Sequence, residues 1–254
     1  MISATELYRA LDRAIPASLS AQWDNDGLMC CPLPQKPVKR VLIALDITEN
    51  IIAEAVRGGF DVILSHHPLV FRPIGALDPE KAVPRKLITL VQNCICAMSF
   101  HTRLDALEGG VNDVLAKALG LQSPLPFGNE GEMMGRIGSV EPCSLSEFAK
   151  RVKNALNAPF VLCSGDLPVR RVAVLGGEGG DFIKAAKAAG ADTYVSGRLG
   201  YHQVSDAKEN GINLIEAGHY YTENLVLPRL AALAKEADGD IVAEIADSNQ
   251  IQAI

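Results

Sequence analysis

Short runs of apolar residues alternate with amphipathic segments along the whole chain. In the first half, buried-strand patterns cover residues 41–44, 62–65 and 95–100, and the segments between them show helical spacing. Each half is predicted to run helix, strand, strand, helix, strand, helix, strand, helix. This alternation is typical of an α/β fold with a largely parallel, mixed sheet. In such sheets, functional groups gather at the carboxyl ends of the strands.

The two halves of this pattern resemble each other. Residues 41–65 align without a gap with residues 172–196, and residues 95–101 align with residues 213–219. Because these matches occur in the same order, we interpret the chain as an internal duplication, with chance similarity as the alternative. The predicted repeats, separate or interlaced, are residues 1–123 and 124–254. We expect extra strands near 135–140 and 241–245 and a connector near 122–134.

Composition and charge limit the classes of protein that fit. The 254 residues are 48% hydrophobic and 21% charged, which is typical of a globular chain. A net charge of -6 disfavours nucleic acid as a partner without excluding it. No apolar run is long enough to span a membrane, the N-terminus lacks a signal-peptide pattern, and the six cysteines form no CxxC. These features predict a cytoplasmic protein with no membrane partner and no disulfide framework.

Four of the five histidines come directly after predicted strands, and two of them have a carboxylate four residues later. The histidines are His66, His67, His101 and His219, and the carboxylates are Asp105 and Glu223. One such histidine alone is most simply a hydrogen-bonded structural residue. Several imidazoles and carboxylates at one edge of a sheet are the donors that first-row divalent metals bind. The sequence therefore predicts a metal site there.

These donors outnumber what one catalytic ion needs, so we predict two divalent ions per chain, which share a carboxylate and a water. Nitrogen and oxygen ligands admit Zn, Mn, Fe, Ni or Co. Water acidified between two ions is the nucleophile of many hydrolases, although metal sites also serve structural ends. The main helices are expected to begin near Val111 and Pro228, which puts Asp105 and Glu223 in a preceding loop or single turn.

Five motifs, taken together, resemble the Nif-three-like (YbgI-like) family, whose members often carry the name type 2 GTP cyclohydrolase I. They are Trp23-Asp24-Asn25-Asp26-Gly27-Leu28, Ala44-Leu45-Asp46-Ile47-Thr48, Ser65-His66-His67-Pro68-Leu69, His101-Thr102-Arg103-Leu104-Asp105 and Gly218-His219-Tyr220-Tyr221-Thr222-Glu223. The resemblance covers nearly the whole chain. It implies two interlaced α/β domains, a dinuclear metal centre in the cleft between them, and a toroidal homohexamer.

The resemblance also assigns roles to individual residues. It carries the metal role onto His66, His67, Asp105, His219 and Glu223. We place His101 beside the metals, as a further ligand or as a residue just outside the ligands, and a hydrolase would use it as a catalytic residue that handles protons. His202 matches a family position and is either a catalytic proton donor or a helix-cap or interface residue. Asp24 could support a metal ligand from a packed turn, and Asp46 is interpreted as a loop or cap residue.

Two arginines depart from the family pattern. Arg103 stands where the family usually has asparagine, and Arg198 stands where it usually has an acid. The hypothesis is that both bind an anionic ligand, and the alternative is two surface arginines. The expected function is a metal-dependent hydrolase of a nucleotide-like or phosphorylated small molecule, similar to a type 2 GTP cyclohydrolase I. The alternative function is a non-catalytic metal-binding scaffold or regulatory adaptor.

Overall fold

The computed structural model describes all 254 residues. The first half contains α1 (Ala4–Ala14), β1 (Gly27–Cys30), β2 (Arg40–Ala44), α2 (Glu49–Gly58), β3 (Val62–Ser65), α3 (Ala82–Gln92), β4 (Cys96–Ser99), α4 (Thr102–Ala106) and α5 (Val111–Ala118). The second half contains β5 (Gln122–Asn129), β6 (Glu132–Cys143), α6 (Leu145–Ala155), β7 (Leu162–Ser164), β8 (Val169–Glu178), α7 (Ile183–Ala188), β9 (Thr193–Arg198), α8 (Tyr201–Glu209), β10 (Asn213–Glu216), α9 (His219–Glu223), α10 (Leu227–Ala237) and β11 (Val242–Ile245).

The predicted α/β class with mixed sheets is confirmed, and both extra strands form as β6 and β11. The predicted connector near 122–134 is wrong, because this segment is β5 and the start of β6, paired as an antiparallel hairpin. Pro124 and Pro126 misled the prediction. Both lie in β5, which is an edge strand, where a missing backbone N–H is tolerated.

The chain divides into two compact units, and the division differs from the predicted boundary at 123/124. Unit 1 comprises residues 1–104 and 227–252, and unit 2 comprises residues 105–226 with the last two residues. The reason lies in the two long helices that end the repeats. Helix α5 packs on β6 and β8 of unit 2, whereas α10 packs on α1, β2 and β11 of unit 1. Each repeat therefore gives its last helix to the other unit.

Unit 1 is built on a five-stranded sheet in the order β1-β4-β3-β2-β11. The four strands from β4 to β11 are parallel, and β1 is antiparallel at one edge. Both faces are covered, since Leu42 and Ala44 join the apolar core on one face while Val41 and Ile43 are equally buried on the other. The carboxyl ends of β2, β3 and β4 consequently meet at one edge.

Unit 2 is built on a six-stranded sheet in the order β5-β6-β8-β9-β10-β7. Strands β8, β9 and β10 are parallel to one another, whereas the pairings β5–β6, β6–β8 and β10–β7 are antiparallel. Alternate residues of β8 enter two separate cores: Val172 and Val174 enter one, and Ala173 and Leu175 enter the other. The order β7-β10-β9-β8 repeats β1-β4-β3-β2 of unit 1 with the same strand directions, as expected for a duplication.

Two local hydrogen-bonding motifs also occur in both repeats. Helices α1 and α6 each begin with a capping box, formed by Ser3 with Glu6 and by Ser144 with Glu147. Asp61 accepts hydrogen bonds from the backbone N–H groups of Lys39 and Arg40, and Asp192 accepts the same pair from Arg170 and Arg171. These matches support the interpretation of the chain as an internal duplication.

Among the helices, none combines the length and the apolar character that a membrane crossing requires.

Candidate metal-binding residues

Three histidines of unit 1 lie at the carboxyl ends of adjacent parallel strands. Ser65 at the end of β3 lies opposite Ser99 at the end of β4, and their hydroxyl groups are 2.8 Å apart. His66 and His67 follow the first strand, and His101 follows the second. One ring nitrogen from each of the three histidines lies within 4.8 Å of a ring nitrogen of each of the other two. The strand-end prediction for these three residues therefore agrees with the structure.

Each of the three rings is oriented through its Nδ1 atom. The Nδ1 of His66 is 2.9 Å from the carbonyl oxygen of Phe100. The Nδ1 atoms of His67 and His101 are 2.8 Å and 2.9 Å from carboxylate oxygens of Asp46 and Asp24 respectively. Because a carbonyl or an ionised carboxylate only accepts, Nδ1 carries the hydrogen in each ring. The lone pair of a neutral ring then lies on Nε2, the arrangement found in metal-ligating histidines.

The Asp24 carboxylate holds His101 from inside the fold. Its side chain is fully buried and also accepts hydrogen bonds from the backbone N–H and the hydroxyl of Thr102. Burial opposes ionisation of this carboxyl, but the hydrogen bonds from His101 and Thr102 outweigh burial and lower its pKa to about 2. Asp24 is therefore ionised at neutral pH. Its carboxylate therefore fixes Nδ1 as the hydrogen-bearing nitrogen of His101.

Two exposed aromatic rings border the histidine cluster. The rings of Trp23 and Phe71 lie 6.1 Å apart, and each is about edge-on to His101 at 6.2 Å. Their side chains are 55% and 44% exposed, so both present apolar surface to solvent beside the cluster. The cluster in unit 1 thus has polar donors beside an accessible apolar wall.

Unit 2 gathers the other three predicted donors. Helix α9 is a single turn, and it brings Nε2 of His219 to 3.0 Å from Oε2 of Glu223. A carboxylate oxygen of Asp105 lies within 4.8 Å of one from Glu223. Two carboxylates this close repel each other unless a proton or a cation compensates. The donors precede α5 and α10, as the sequence predicted.

Two glycines make room for the turn that carries these donors. Gly177 has a positive φ of 67°, and a Cβ built there would lie 2.2 Å from Oε1 of Glu223. A Cβ at Gly197 would lie 2.6 Å from the hydroxyl oxygen of Thr222. The backbone of β8 and β9 therefore approaches α9 as closely as only glycine permits. Glu223 is held in place by this close packing and is 3% exposed.

Arg103 does not face solvent. It is 1% exposed, its guanidinium donates to Asp12 and Asp26 at 2.7 Å and 3.0 Å, and it stacks on the ring of Phe100. Burial opposes the charge, but these carboxylates outweigh it and raise the Arg103 pKa. Because its charge is matched inside unit 1, this placement counts against the anion-contact hypothesis. It equally counts against the surface-arginine alternative.

The remaining predicted site residues, Arg198 and His202, are exposed. Arg198 ends β9, and His202 lies in the first turn of α8. His202 lines a groove of about 620 Å³ between α7 and α8, together with Lys184 and Asp206. Neither residue belongs to a group of donors close enough to hold one ion. The catalytic role of His202 remains a prediction.

Asp46 lies in the bend that follows β2, in agreement with its interpretation as a loop or cap residue. Its contact with Nδ1 of His67, which orients that ring, was not predicted. A usable signal was present, because Asp46 follows β2, whose carboxyl end lies beside that of β3. Asp24 was predicted to support a metal ligand, and its carboxylate accepts a hydrogen bond from His101.

Comparisons with known proteins agree with this arrangement of elements. The family model Duf34/NIF3 (NGG1p interacting factor 3) matches residues 2–252. A Clostridium perfringens protein named GTP cyclohydrolase 1 type 2 homolog is 33% identical, with 93% of both chains covered. The fission yeast Schizosaccharomyces pombe has a relative named Protein NIF3 homolog, which is 31% identical over 87% of this chain and 84% of its own.

Solved structures give the same result. A Bacillus cereus protein related to NIF3 superposes with a TM-score of 0.87 at 26% identity, and the match covers 99% of this chain and 98% of that one. The family model matches nearly the whole length of the chain, and several relatives are more than 30% identical to it, so its family is established. The protein belongs to the DUF34/NIF3 family.

Proposed function

We propose that this protein binds two divalent metal ions and uses them to hydrolyse a nucleotide-like or phosphorylated small molecule. The observation that carries the proposal is the set of three imidazoles in unit 1, each with Nδ1 held by an acceptor and one ring nitrogen near the other two. The metal ligands that we propose are His66, His67, Asp105, His219 and Glu223. That donors from both units share one centre stays a prediction.

The residues present fit a divalent first-row metal. Imidazole nitrogen and carboxylate oxygen are donors for Zn, Mn, Fe, Ni or Co, and each of these remains a candidate. The close carboxylates of Asp105 and Glu223 add a second reason, because a cation would relieve their repulsion. When bound, such ions supply Lewis acidity that makes a water nucleophilic near neutral pH.

The chain's own residues suit proton transfer beside this donor set. We propose that His101 accepts a proton at Nε2, since ionised Asp24 holds its Nδ1–H and stabilises the charged ring. The exposed rings of Trp23 and Phe71 would form the wall against which a substrate is oriented. His101 then has the catalytic role and Asp24 is its positioning residue.

The names of several relatives support a hydrolytic ring-opening reaction. Proteins from Clostridium perfringens and Streptococcus pneumoniae, each 33% identical, carry the name GTP cyclohydrolase 1 type 2 homolog. Such a name describes those proteins. For this chain, a nucleotide that carries a phosphate is the first substrate class to test, and exposed Arg198 is the proposed anion contact.

A second candidate function is a non-catalytic metal-binding scaffold or regulatory adaptor. The family model is described as a factor that interacts with another protein, which favours this candidate. As part of either proposal we retain the expected homohexamer, its toroidal shape and the cytoplasmic location. Light scattering on the purified protein tests the hexamer directly.

The deciding experiment measures metal content and turnover in the same preparations. We expect about two ions per chain after purification without chelator, and hydrolysis within a panel of nucleotides and phosphoesters. The variants are His66→Gln with His67→Gln for unit 1, and Asp105→Asn with Glu223→Gln for unit 2. Glu80→Gln, which changes an exposed carboxylate outside the donor sets, is the matched control.

Each outcome has a distinct meaning. Loss of metal and turnover in both double variants, but not in Glu80→Gln, supports the metal-dependent hydrolase. Two ions without turnover on any compound supports the scaffold. Unchanged metal content in both double variants overturns the proposed ligand set, provided that circular dichroism shows native folding.

A further inference from the structure

Two cysteines outside the candidate metal site lie opposite each other on neighbouring strands of unit 1. Antiparallel β1 and β4 pair Cys30 with Ala97. Continuing that register by one residue, just beyond the end of β1, brings Cys31 opposite Cys96. Side chains that lie directly opposite each other on paired strands point to the same face of the sheet, so both thiols lie on one face. All six cysteines are reduced in this structure.

The backbone places this pair at the spacing that a disulfide requires. The N–H of Cys96 donates to the carbonyl oxygen of Asp61 on the β3 side, so its polar groups point away from β1. Cys31 and Cys96 therefore face each other at a non-hydrogen-bonded position. Cα atoms at such positions of an antiparallel pair lie about 4.5 Å apart, at the short end of the range that disulfides span.

The two thiols differ in accessibility. Cys96 is 3% exposed, whereas Cys31 is only partly buried. Burial raises the pKa of the Cys96 thiol, which keeps it protonated and protects it from direct oxidation. Cys31 is consequently the thiol that an oxidant in solution meets first.

We propose that Cys31 and Cys96 form a reversible disulfide when the protein meets a peroxide. The Cys31 sulfur attacks one peroxide oxygen and the O–O bond breaks, which gives a sulfenic acid and one water. The Cys96 sulfur then attacks Cys31, loses its proton, and releases a second water as the S–S bond forms. Two thiols are thus oxidised, one peroxide is reduced, and a dithiol reductant reverses the change.

A disulfide between Cys31 and Cys96 would lie close to the segments that hold the histidine cluster. Strand β1 follows the loop whose Asp24 and Asp26 accept from the ring and the backbone N–H of His101, and β4 leads directly to His101. A covalent link between β1 and β4 would fix these two segments against each other. Oxidation therefore acts on the frame that holds His101, without touching His101 itself.

Peptide mapping under non-reducing conditions tests the pair. The full-length protein is treated with a small excess of hydrogen peroxide, its remaining thiols are alkylated, and it is digested with trypsin. We expect a cross-linked peptide that joins the segment of Cys31 to that of Cys96, and that dithiothreitol removes. Each segment holds a second cysteine, so Cys30→Ser and Cys94→Ser are the matched controls and must keep the cross-link.

The variants Cys31→Ser and Cys96→Ser are both expected to lose the cross-link, and the melting temperature of the wild type is expected to rise by about 5–10 °C on oxidation. Exposed Cys163 reports whether the oxidant has reacted. The proposal is overturned if Cys163 is oxidised while no cross-link forms. It is equally overturned if the cross-link persists in Cys31→Ser, which remains informative even if Cys96→Ser fails to fold.

Discussion

The two units place equivalent histidines, His101 and His219, by different means. In unit 1, His101 is oriented by hydrogen bonds to a loop, through the buried carboxylate of Asp24. In unit 2, His219 begins a single-turn helix, and the turn is held by close backbone packing around Gly177 and Gly197. The two copies of one topology thus place a histidine at the same strand end, one with a buried carboxylate that orients the ring and the other with a turn packed closely against glycines.

The largest effect is expected where a donor is packed tightly against a neighbouring backbone. In Gly177→Ala, the new Cβ meets Oε1 of Glu223 and the residue must keep a φ of 67°. We expect a loss of about 2–4 kcal/mol in the free energy of unfolding, together with lower metal content. Urea denaturation and elemental analysis measure the two effects.

The control for this variant is Gly59→Ala. Gly59 has a similar φ of 64°, but a Cβ there meets nothing within 4 Å, so only the backbone cost of about 1 kcal/mol is expected. If the two variants lost equal stability and kept equal metal content, close packing around Glu223 would not be what holds it.

Unit 1 should respond to a change of charge that leaves its shape intact. In Asp24→Asn, the carboxylate that accepts from His101 and Thr102 becomes a neutral amide. We expect a loss of about 2 kcal/mol in the free energy of unfolding at pH 7, and reduced turnover with little change in substrate binding. Denaturant titration and steady-state kinetics separate these effects.

The same carboxylate predicts a pH dependence. The folded-state pKa of Asp24 is about 2 and its ordinary value is 3.8, so its contribution is complete above about pH 4 and is lost as pH falls toward 2. Between pH 5 and pH 3, the wild type should lose more stability than Asp24→Asn. Parallel slopes for the two proteins in this range would contradict the ionised, hydrogen-bonded state of Asp24.

A weaker effect is expected at the partner of His67. Asp46 is 41% exposed, so Asp46→Asn should change the free energy of unfolding by less than about 1 kcal/mol. Loss of the orienting carboxylate should still weaken metal binding by about tenfold, measured by competition with a chelating dye. Asp181→Asn is the control, because the Asp181 carboxylate accepts from Gln203 and contacts no histidine. Equal affinities in the two variants would remove Asp46 from the site.

The smallest effect on stability is expected at Arg198. It is exposed at the end of β9, so Arg198→Gln should change the free energy of unfolding by less than about 0.5 kcal/mol. Arg198→Gln should bind a nucleoside triphosphate several-fold more weakly than the control variant Arg170→Gln does, as measured by calorimetry. The control removes another exposed arginine of unit 2. Equal binding by both variants would refute the anion contact.

Local features of the sequence predicted much of this fold. The alternation of strands and helices, the histidines after β3, β4 and β10, and the starts of α5 and α10 all depend on neighbours in sequence. The repeat was also detectable in the sequence, where Asp61 aligns with Asp192. In the structure, both residues accept hydrogen bonds from the equivalent backbone N–H groups. Apolar periodicity and helix capping depend on residues a few positions apart, so they can be recognised in a single sequence.

What the sequence could not show depends on contacts between distant residues. The guanidinium of Arg103 is buried by Asp12, which lies 91 residues earlier, and His101 is held by Asp24 from 77 residues earlier. The approach of Glu223 to Gly177 likewise arises only once β8 and α9 are packed. Such pairings follow from the tertiary fold and leave no local pattern.

The exchange of the last helices sets an order of folding during synthesis. Residues 105–226 of unit 2 are one continuous segment, and they are synthesised before residues 227–252. Unit 1 lacks α10 and β11 until then, so its sheet keeps an unpaired edge at β2. We expect unit 2 to become protease-resistant first on a stalled ribosome. A nascent chain that stops at residue 226 would leave the histidines of unit 1 on an unfinished scaffold.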